Sequence, residues 1–566
     1  MNNQPYESIP AYLAGLNPQQ LEAVRCRDDI VFVNAGPGSG KTFLLVAKMI
    51  DQILTCPTPQ KIVALSYTNT AARQIGERFY RQMEQADIPF DLFNGTIHSF
   101  CFRMMKSYCE AQGRAFEYTI LDDEELGELA NEVQTQAGDI RLYKKKLKLI
   151  SVEDILSLYL ALLEGDSGFR AWMSDQATFM AIDEAQDLNA ANYAILDRLL
   201  GIIPGLKLFL VGDPRQNIFE FNGGSYRNLD QFLSKHPHQT CNLTITYRFG
   251  QEIADYVNGF PFTDCENHPL RSYANAPSSV SVRQCPTEQD EARCVISQVI
   301  EHGNLSSNAV LCNNLRYLDT LIAELKQEQI PYKVFGGRKV VKRHIRFLNH
   351  ILRILDTENP YSIGKIAQYA GIDIVQDGKK RKSRFFASDL GQLILSIRDD
   401  CAAVDFPTLM DCVIERIMRD PQDDEATSQD YDNLLLLSMQ FQTIADYLMA
   451  FASDKETFAA FYRKDYEDCE VAEDGEYLTL STIHSAKGLE WDTVYVMGLC
   501  EGNFPNPYFC KDMPESEKED FFSNEWKKMY VAATRAKQSL ILTYSLTIRR
   551  KGYSFKKQES RFIADI

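Results

Sequence analysis

What the sequence lacks narrows the reading first. None of its 14 cysteines forms a Cys-x-x-Cys pair, and no Cys/His cluster has zinc or iron–sulfur spacing. Scattered from Cys26 to Cys510, they read as reduced core thiols of a cytoplasmic protein. No apolar run reaches the roughly 18 residues of a membrane span, so no membrane partner is expected. Met1 to Leu16 is polar and lacks the charged start and apolar core of a secretion signal. Positive charge is not in excess: 60 Lys and Arg stand against 78 Asp and Glu, a net charge of −18. That balance speaks against indiscriminate nucleic-acid binding, because phosphate contacts need Lys and Arg. It leaves room for a locally basic groove inside an acidic exterior. No fixed-period repeat or low-complexity tract stands out.

With 566 residues the chain is too long for one core, and three or four domains are expected. Hydrophobic content of 45% with 24% charged residues reads as soluble and globular. Short apolar runs at Ile30–Asn34, Lys61–Tyr67, Met180–Ile182 and Leu206–Val211 are each followed by a polar or Gly-rich turn and a helical pattern. They read as buried parallel strands. A second set lies at Ala309–Cys312, Tyr332–Phe335, Leu478–Ser481, Thr493–Met497 and Ser539–Thr543. The fold class is therefore α/β, with two parallel-sheet domains. Helix-rich stretches from Phe102 to Ala177 and from Leu355 to Ala472 read as insertions into the two sheets. The second contains the basic run from Gly378 to Arg384, equally a solvated loop or a duplex contact.

The strongest local signal runs from Ile30 to Thr42, a strand entering a Gly-rich loop that ends in Gly-Lys-Thr before a helix. Gly36, Gly38 and Gly40, with Ala35 and Ser39, let backbone N–H groups converge on phosphate oxygens. The helix N-terminus adds its partial positive charge. Lys41 is placed to reach the β- and γ-phosphates of ATP, and the Thr42 hydroxyl to hold Mg²⁺. Ala35 takes the place of the usual first glycine. A second magnesium carboxylate is expected at the end of a neighbouring strand, and Met180-Ala-Ile-Asp-Glu-Ala-Gln-Asp187 supplies Asp183 for the metal. Glu184 follows it and can polarise an attacking water. These residues specify an NTPase and no more.

The remaining segments, read in order, resemble superfamily 1 helicases of the UvrD/Rep/PcrA type. Leu16-Asn-Pro-Gln-Gln20 resembles the family's adenine-reading motif, with Gln20 as its glutamine. Ala64 to Asn69 and Gly95 to Ser99 are similar to the motifs that hold the DNA backbone, which implies contacts from Thr68, Asn69, Thr96 and His98. Val211 to Gly223 is similar to a motif in which Gln216 senses the γ-phosphate and Phe219 and Phe221 meet bases. Thr246-Tyr-Arg248 implies that Tyr247 stacks on adenine and Arg248 contacts the γ-phosphate. Thr482 to Glu490 implies that His484 and Ser485 face DNA and Glu490 the ribose. Tyr530 to Ala536 implies an arginine finger at Arg535. The last stretch, Ser560 to Ile566, resembles the family's closing segment.

The resemblance implies two RecA-like domains, the first at 1–101 and 178–245 with a helical insertion at 102–177. The second is expected at 246–354 and 473–566, with a reduced helical insertion at 355–472. It implies an ATP- and Mg²⁺-dependent motor moving 3′→5′ on single-stranded and tailed duplex DNA. Three departures stand out: Phe43 replaces a frequent arginine, Pro214-Arg215 replaces an acidic pair, and Trp526 and Lys528 break the run before the last motif. Arg549 to Phe555 occupies the place of the duplex-splitting hairpin, with Tyr553 at its tip or, equally, in an exposed turn. No room is left for a nuclease domain, so nuclease action would need a partner protein. A second reading is thus a DNA-stimulated ATPase or sensor in a nuclease-containing anti-phage defence complex of the Gabija type, with little unwinding of its own. A third, a switch or scaffold that binds ATP without turnover, is disfavoured by intact Lys41, Asp183, Glu184, Gln216 and Arg535.

Overall fold

The computed structural model describes residues 9–563 except 57, 85–87, 136–138, 219–223, 264, 274–276, 338, 374–380, 421–423, 456, 465–474, 512 and 551–552. The first sheet holds β1 (Ile30–Ala35), β2 (Gln60–Leu65), β3 (Phe90–Gly95), β4 (Phe179–Ile182), β5 (Lys207–Gly212) and β6 (Gln239–Leu243). Its order is β3-β2-β4-β5-β1-β6, and every pairing is parallel. The two-residue period of a strand, with burial on both faces, accounts for the apolar runs of the central strands, whereas the edge strands β3 and β6 carry polar residues and were not among the expected strands. Ile30 and Phe32 of β1 enter one core with Val63, Met180 and Leu208, whereas Val31, Val33 and Ala35 enter another with Ala64, Ala181 and Phe209. Both faces are thus buried, each by its own set of helices.

The second sheet holds β7 (Ser279–Thr287), β8 (Asn308–Cys312), β9 (Tyr332–Phe335), β10 (Leu478–Thr482), β11 (Trp491–Val496) and β12 (Ala536–Arg550). The order is β7-β12-β11-β8-β10-β9, again parallel, with β13 (Tyr553–Lys556) added antiparallel to the end of β12. Ala309 and Leu311 face one core while Val310 and Cys312 face the other. The protein is a mixed α/β chain with two parallel sheets, as the apolar runs require. No helix among the described residues is long and apolar enough to cross a membrane.

The first insertion, between β3 and β4, begins inside the helix Ile97–Ala111, which starts on the sheet and continues past it. The second starts earlier than a boundary at 354/355. The ribbon Lys339–Val341 pairs antiparallel with Tyr462–Lys464, and Val341 lies opposite Tyr462. The helix Arg343–Thr357 therefore belongs to the insertion: Ile345, Leu348, Ile351 and Leu352 pack with Met410, Tyr447 and Phe458. Its apolar stripe cannot be assigned to one core or the other from periodicity, since both would bury it equally well.

The two insertions are joined. Leu121, Leu129, Val133 and Leu149 of the first share a small core with Tyr361 of the second. Beside it lies a buried ion network. Arg353 grips Glu125 with both amino groups, the Nη2–Oε2 distance being 2.8 Å, and each side chain is only 1% exposed. Arg346 donates to Asp122 at 3.0 Å and also contacts Glu124. Burial and the neighbouring arginines push the His350 imidazole down to about 3, against the pull of Glu125. Burial would raise Glu125, yet Arg353 and His350 hold it at about 2. Desolvating such groups costs nearly what their attraction returns, so the network's net contribution to stability is small.

Candidate nucleotide cleft and DNA surface

The cleft lies where the C-terminal edge of the first sheet meets the N-terminal edge of the second. β1 ends in a loop that turns into the helix Lys41–Thr55 through Gly40, whose φ of 82° is left-handed. Gly38 has φ +71°, and a Cβ there would lie 2.5 Å from Arg248 Cβ and 2.7 Å from Thr246 Oγ1. Both conditions demand glycine. Tyr247 N–H donates to the Gly38 carbonyl at 2.8 Å, so the segment Thr246–Arg248 is strapped over the loop. Gln20 is buried and its amide donates to the Ser39 carbonyl at 2.9 Å, while its Oε1 accepts from Asn17 N–H. The glutamine expected at the adenine thus also braces the loop. Gly36 N–H donates to the Leu243 carbonyl at 3.1 Å, tying the loop to β6, the strand beside β1.

Asp183 and Glu184 follow β4. Glu184 takes a left-handed φ of 52°, uncommon for a residue with a side chain and typical of functional turns. Its carboxylate stands 3.9 Å from Lys41 Nζ and accepts from Gln186 Nε2 at 2.6 Å. Burial would raise the Glu184 carboxyl, but Lys41 and Lys487 hold it well below its ordinary range. Burial and the Glu184 charge push Asp183 the other way. The pair therefore carries a like-charge conflict that Lys41 only partly relieves. A divalent cation at Asp183 and Thr42 would relieve it, and the buried Ser39 hydroxyl, with no partner among the described residues, offers a donor to a phosphate oxygen. The residues present fit a metal-bound nucleoside triphosphate.

The second domain enters from above. Glu490 and Arg535 immediately precede β11 and β12, and Trp491 N–H donates to the Arg535 carbonyl at 3.0 Å. Arg535 is 1% exposed; its Nη2 donates to Gln216 Oε1 at 3.2 Å and its Nε to the Val531 carbonyl at 2.9 Å. Gln216 in turn donates to Asp213 at 2.9 Å. Burial and the Arg248 charge lower the Arg535 guanidinium from its ordinary value. It stays charged, given how high that ordinary value is, and an anion beside the two arginines would relieve their repulsion. Arg248 donates to Glu490 at 2.8 Å and to the Thr534 carbonyl at 3.0 Å, and Lys537 sits 3.1 Å from the other Glu490 oxygen. Glu490 is thus held in an ion triad here. Tyr247 is half exposed, held by Asn17 at 2.9 Å and tilted on Tyr273 at 4.6 Å. Phe43 packs on Tyr12 at 4.4 Å.

Two residues carry more of this cleft than their sequence context indicated. Lys487, in the loop after β10, reaches across to the buried Asp187 carboxylate and donates to the Gln216 carbonyl at 2.9 Å. Arg215 is buried, donates to Asp213 at 3.0 Å and to the His268 carbonyl at 2.9 Å, and lies over the Tyr530 ring at 4.9 Å. Tyr530 also donates to Asp213, at 3.2 Å. The arginine in place of an acid therefore pins the Asp213–Gln216 turn to the second domain. A buried partner some 300 residues away leaves no local signal.

Comparison with known proteins identifies the family. The UvrD/REP helicase N-terminal domain matches residues 16–148 and 132–237, and the UvrD-like helicase C-terminal domain matches 408–547. The chain belongs to the UvrD/Rep family of ATP-dependent DNA helicases. Similar curated proteins include the ATP-dependent DNA helicase PcrA of Staphylococcus epidermidis, 24% identical over 98% of this chain and 87% of its own length. The ATP-dependent DNA helicase PcrA of Leuconostoc citreum is 23% identical over 99% of this chain and 86% of its own length.

The helicase's DNA-facing candidates are spread along the strand ends. The Thr68 hydroxyl accepts from Ala71 N–H at 3.2 Å and caps the helix Asn69–Met83. Thr96 is buried and forms a capping box with Ser99, so its hydroxyl is engaged within the helix Ile97–Ala111. Asn69 lines a cavity of about 500 Å³ with Asn94, Arg103, Lys106 and the second insertion's Gln440 and Thr443. His98 and His484 are half-buried, and burial lowers both imidazoles, His484 to about 4, so each is neutral at pH 7. Ser485 N–H and Oγ both meet Thr482 Oγ1, at 3.2 and 3.0 Å. Phe219 and Phe221 lie outside the described residues, as does the side chain of Tyr553, whose backbone opens β13.

Proposed function

We propose that the chain hydrolyses ATP between its two RecA-like domains and uses the resulting closure and release to move 3′→5′ along single-stranded DNA, parting a tailed duplex ahead of it. The observation that carries this reading is the meeting of Arg535 with Gln216 across the cleft at 3.2 Å. A γ-phosphate beside that pair would be sensed by both domains at once, so cleaving it would release one from the other. The P-loop from Ala35 to Thr42 wraps the phosphates through backbone N–H groups, with Lys41 on the terminal ones. Mg²⁺ held at Thr42 and Asp183 would neutralise phosphate charge. Glu184, kept ionised by Lys41 and Lys487, accepts the proton of the attacking water. Arg248 and Arg535 stabilise the charge that builds on the transferring phosphoryl group.

Steady-state ATP hydrolysis with and without single-stranded DNA, beside strand displacement on 3′-tailed and 5′-tailed duplexes, tests the proposal. Stimulation with displacement of the 3′-tailed substrate alone is the expected result. Displacement of the 5′-tailed substrate instead would reverse the polarity. Stimulation without displacement would favour a translocase or sensor that works beside a nuclease partner.

A further inference from the structure

The two most exposed large apolar side chains among the described residues are neighbours: Tyr508, 74% exposed, and Phe509, 71% exposed. Neither contributes to a core, and among the described residues neither ring packs on another aromatic ring. Yet their backbone is not loose. They sit in the short 3₁₀ turn Pro507–Cys510, where Asn506 Oδ1 accepts from Tyr508 N–H at 3.2 Å and the Asn506 carbonyl accepts from Phe509 N–H at 3.2 Å. Cys510, buried, anchors the turn from inside and donates to the Pro507 carbonyl at 3.2 Å. The fold therefore holds two adjacent rings outward on a fixed support, at the cost of leaving them in water.

Both signs of charge border them: the turn packs on the helix Glu515–Ala533, whose first turn carries Glu515 and Glu517, while a lysine adjoins the Tyr508 ring. Around Gly502, the place a Cβ would take lies 3.7 Å from the Tyr508 ring and 2.9 Å from Lys557 Nζ, so that ammonium group borders the ring. Lys511 follows the turn, and among the described residues neither Lys511 nor Lys557 is paired with a carboxylate. The nearby Glu501 is already occupied by Arg561, which donates to both its oxygens at 3.0 Å. Lys556 and the half-exposed Phe555 lie just before Lys557, at the end of β13. Flat rings flanked by free ammonium groups fit unpaired bases joined by phosphates, and stacking tolerates any sequence. An acidic or apolar protein partner would use only one of the two features.

We propose that Tyr508 and Phe509 form a base-stacking platform for single-stranded DNA, with Lys511 and Lys557 on the adjoining phosphates, separate from the nucleotide cleft. The assignment rests on the DNA helicase reading above. It is tested on the full chain by fluorescence anisotropy with a labelled 30-nucleotide oligothymidylate and with the same strand made abasic. The Tyr508→Ala/Phe509→Ala variant is expected to lose about tenfold or more in affinity for the thymidylate strand and little for the abasic one. Tyr508→Phe/Phe509→Tyr should restore binding to within about threefold, because either ring stacks. Lys557→Ala should make binding less salt-dependent, lowering the log–log slope by about 0.7. ATP hydrolysis without DNA should not change in any of these variants. Equal affinities of the parent protein and the double alanine variant for both strands, with DNA-stimulated hydrolysis intact, would overturn the platform alone. A parent protein that neither binds the strand nor responds to it would overturn the helicase reading and the platform with it.

Discussion

Lys487 offers the sharpest test of how the two domains are coupled. Its side chain is 8% exposed and meets an Asp187 side chain that is fully buried, so Lys487→Met leaves that carboxylate stranded. The other Asp187 oxygen has no hydrogen-bond partner among the described residues, and Gln186 Nε2, at 3.4 Å, is a poor substitute. Breaking a buried pair from one side costs about 3–5 kcal/mol. Because the two residues belong to different domains, the cost falls on closure of the cleft, and about 3 kcal/mol corresponds to roughly 150-fold in that equilibrium. DNA-stimulated kcat/KM for ATP should therefore fall by about 10²-fold in Lys487→Met. Lys487→Met/Asp187→Asn should recover about tenfold, since no stranded charge remains. Burial already raises Asp187 to about 6 against the pull of Lys487. Without the lysine its carboxyl rises further and takes up a proton at higher pH, so the gap between variant and parent should narrow as pH is lowered toward 6 and stay constant below it. Parental kcat/KM in Lys487→Met, or a double variant no better than the product of the single effects, would refute the coupling.

Three further outcomes follow from the geometry. Gly38→Ala should abolish nucleotide binding, measured by equilibrium titration with a fluorescent ATP analogue, because its Cβ collides with Arg248 and Thr246 and its φ of +71° disfavours any side chain; parental affinity would refute the strapped-loop geometry. Arg535→Ala should lower kcat by about 10³-fold, and a change confined to KM would limit it to binding. His350 titrates at 6.5 when unfolded and is pushed to about 3 when folded. Its contribution is full above pH 6.5 and is lost as pH falls toward 3, which amounts to about 1.4 kcal/mol at pH 5.5. His350→Gln should remove that loss, read as the difference in urea midpoints between pH 8 and 5.5; Asp122, raised to about 6 by burial and Glu125, acts in the opposite sense in both proteins and cancels from the comparison. Equal pH dependence in the two proteins would show that the imidazole is not buried neutral.

Much of the nucleotide site was legible because it is local. A strand, glycines at positive φ and a lysine at a helix start follow one another within 13 residues, and backbone sterics leave few other meanings for that order. Asp183 was placed by the apolar run before it, since β4 had to end where polar chemistry begins. The central strands were readable because burial on two faces leaves nearly every position apolar, whereas the edge strands β3, β6 and β7 interleave polar residues and carry no such run.

Tertiary structure alone decided the rest. Thr96 looks like any hydroxyl at a strand end until the helix Ile97–Ala111 claims it as a cap. The helix Arg343–Thr357 has one apolar stripe and two cores that would bury it, and only the pairing of Val341 with Tyr462 shows which does. Lys487, Asp187, Arg215 and Tyr530 are ordinary charged or aromatic residues in sequence. They become a coupling device because folding brings positions some 300 residues apart into contact, and local periodicity carries no record of what lies across a cleft. The sequence by itself determined the central strands of the two sheets and the phosphate loop, through backbone geometry and burial. The approach of one sheet to the other, and so the partners of each charge between them, came from packing alone.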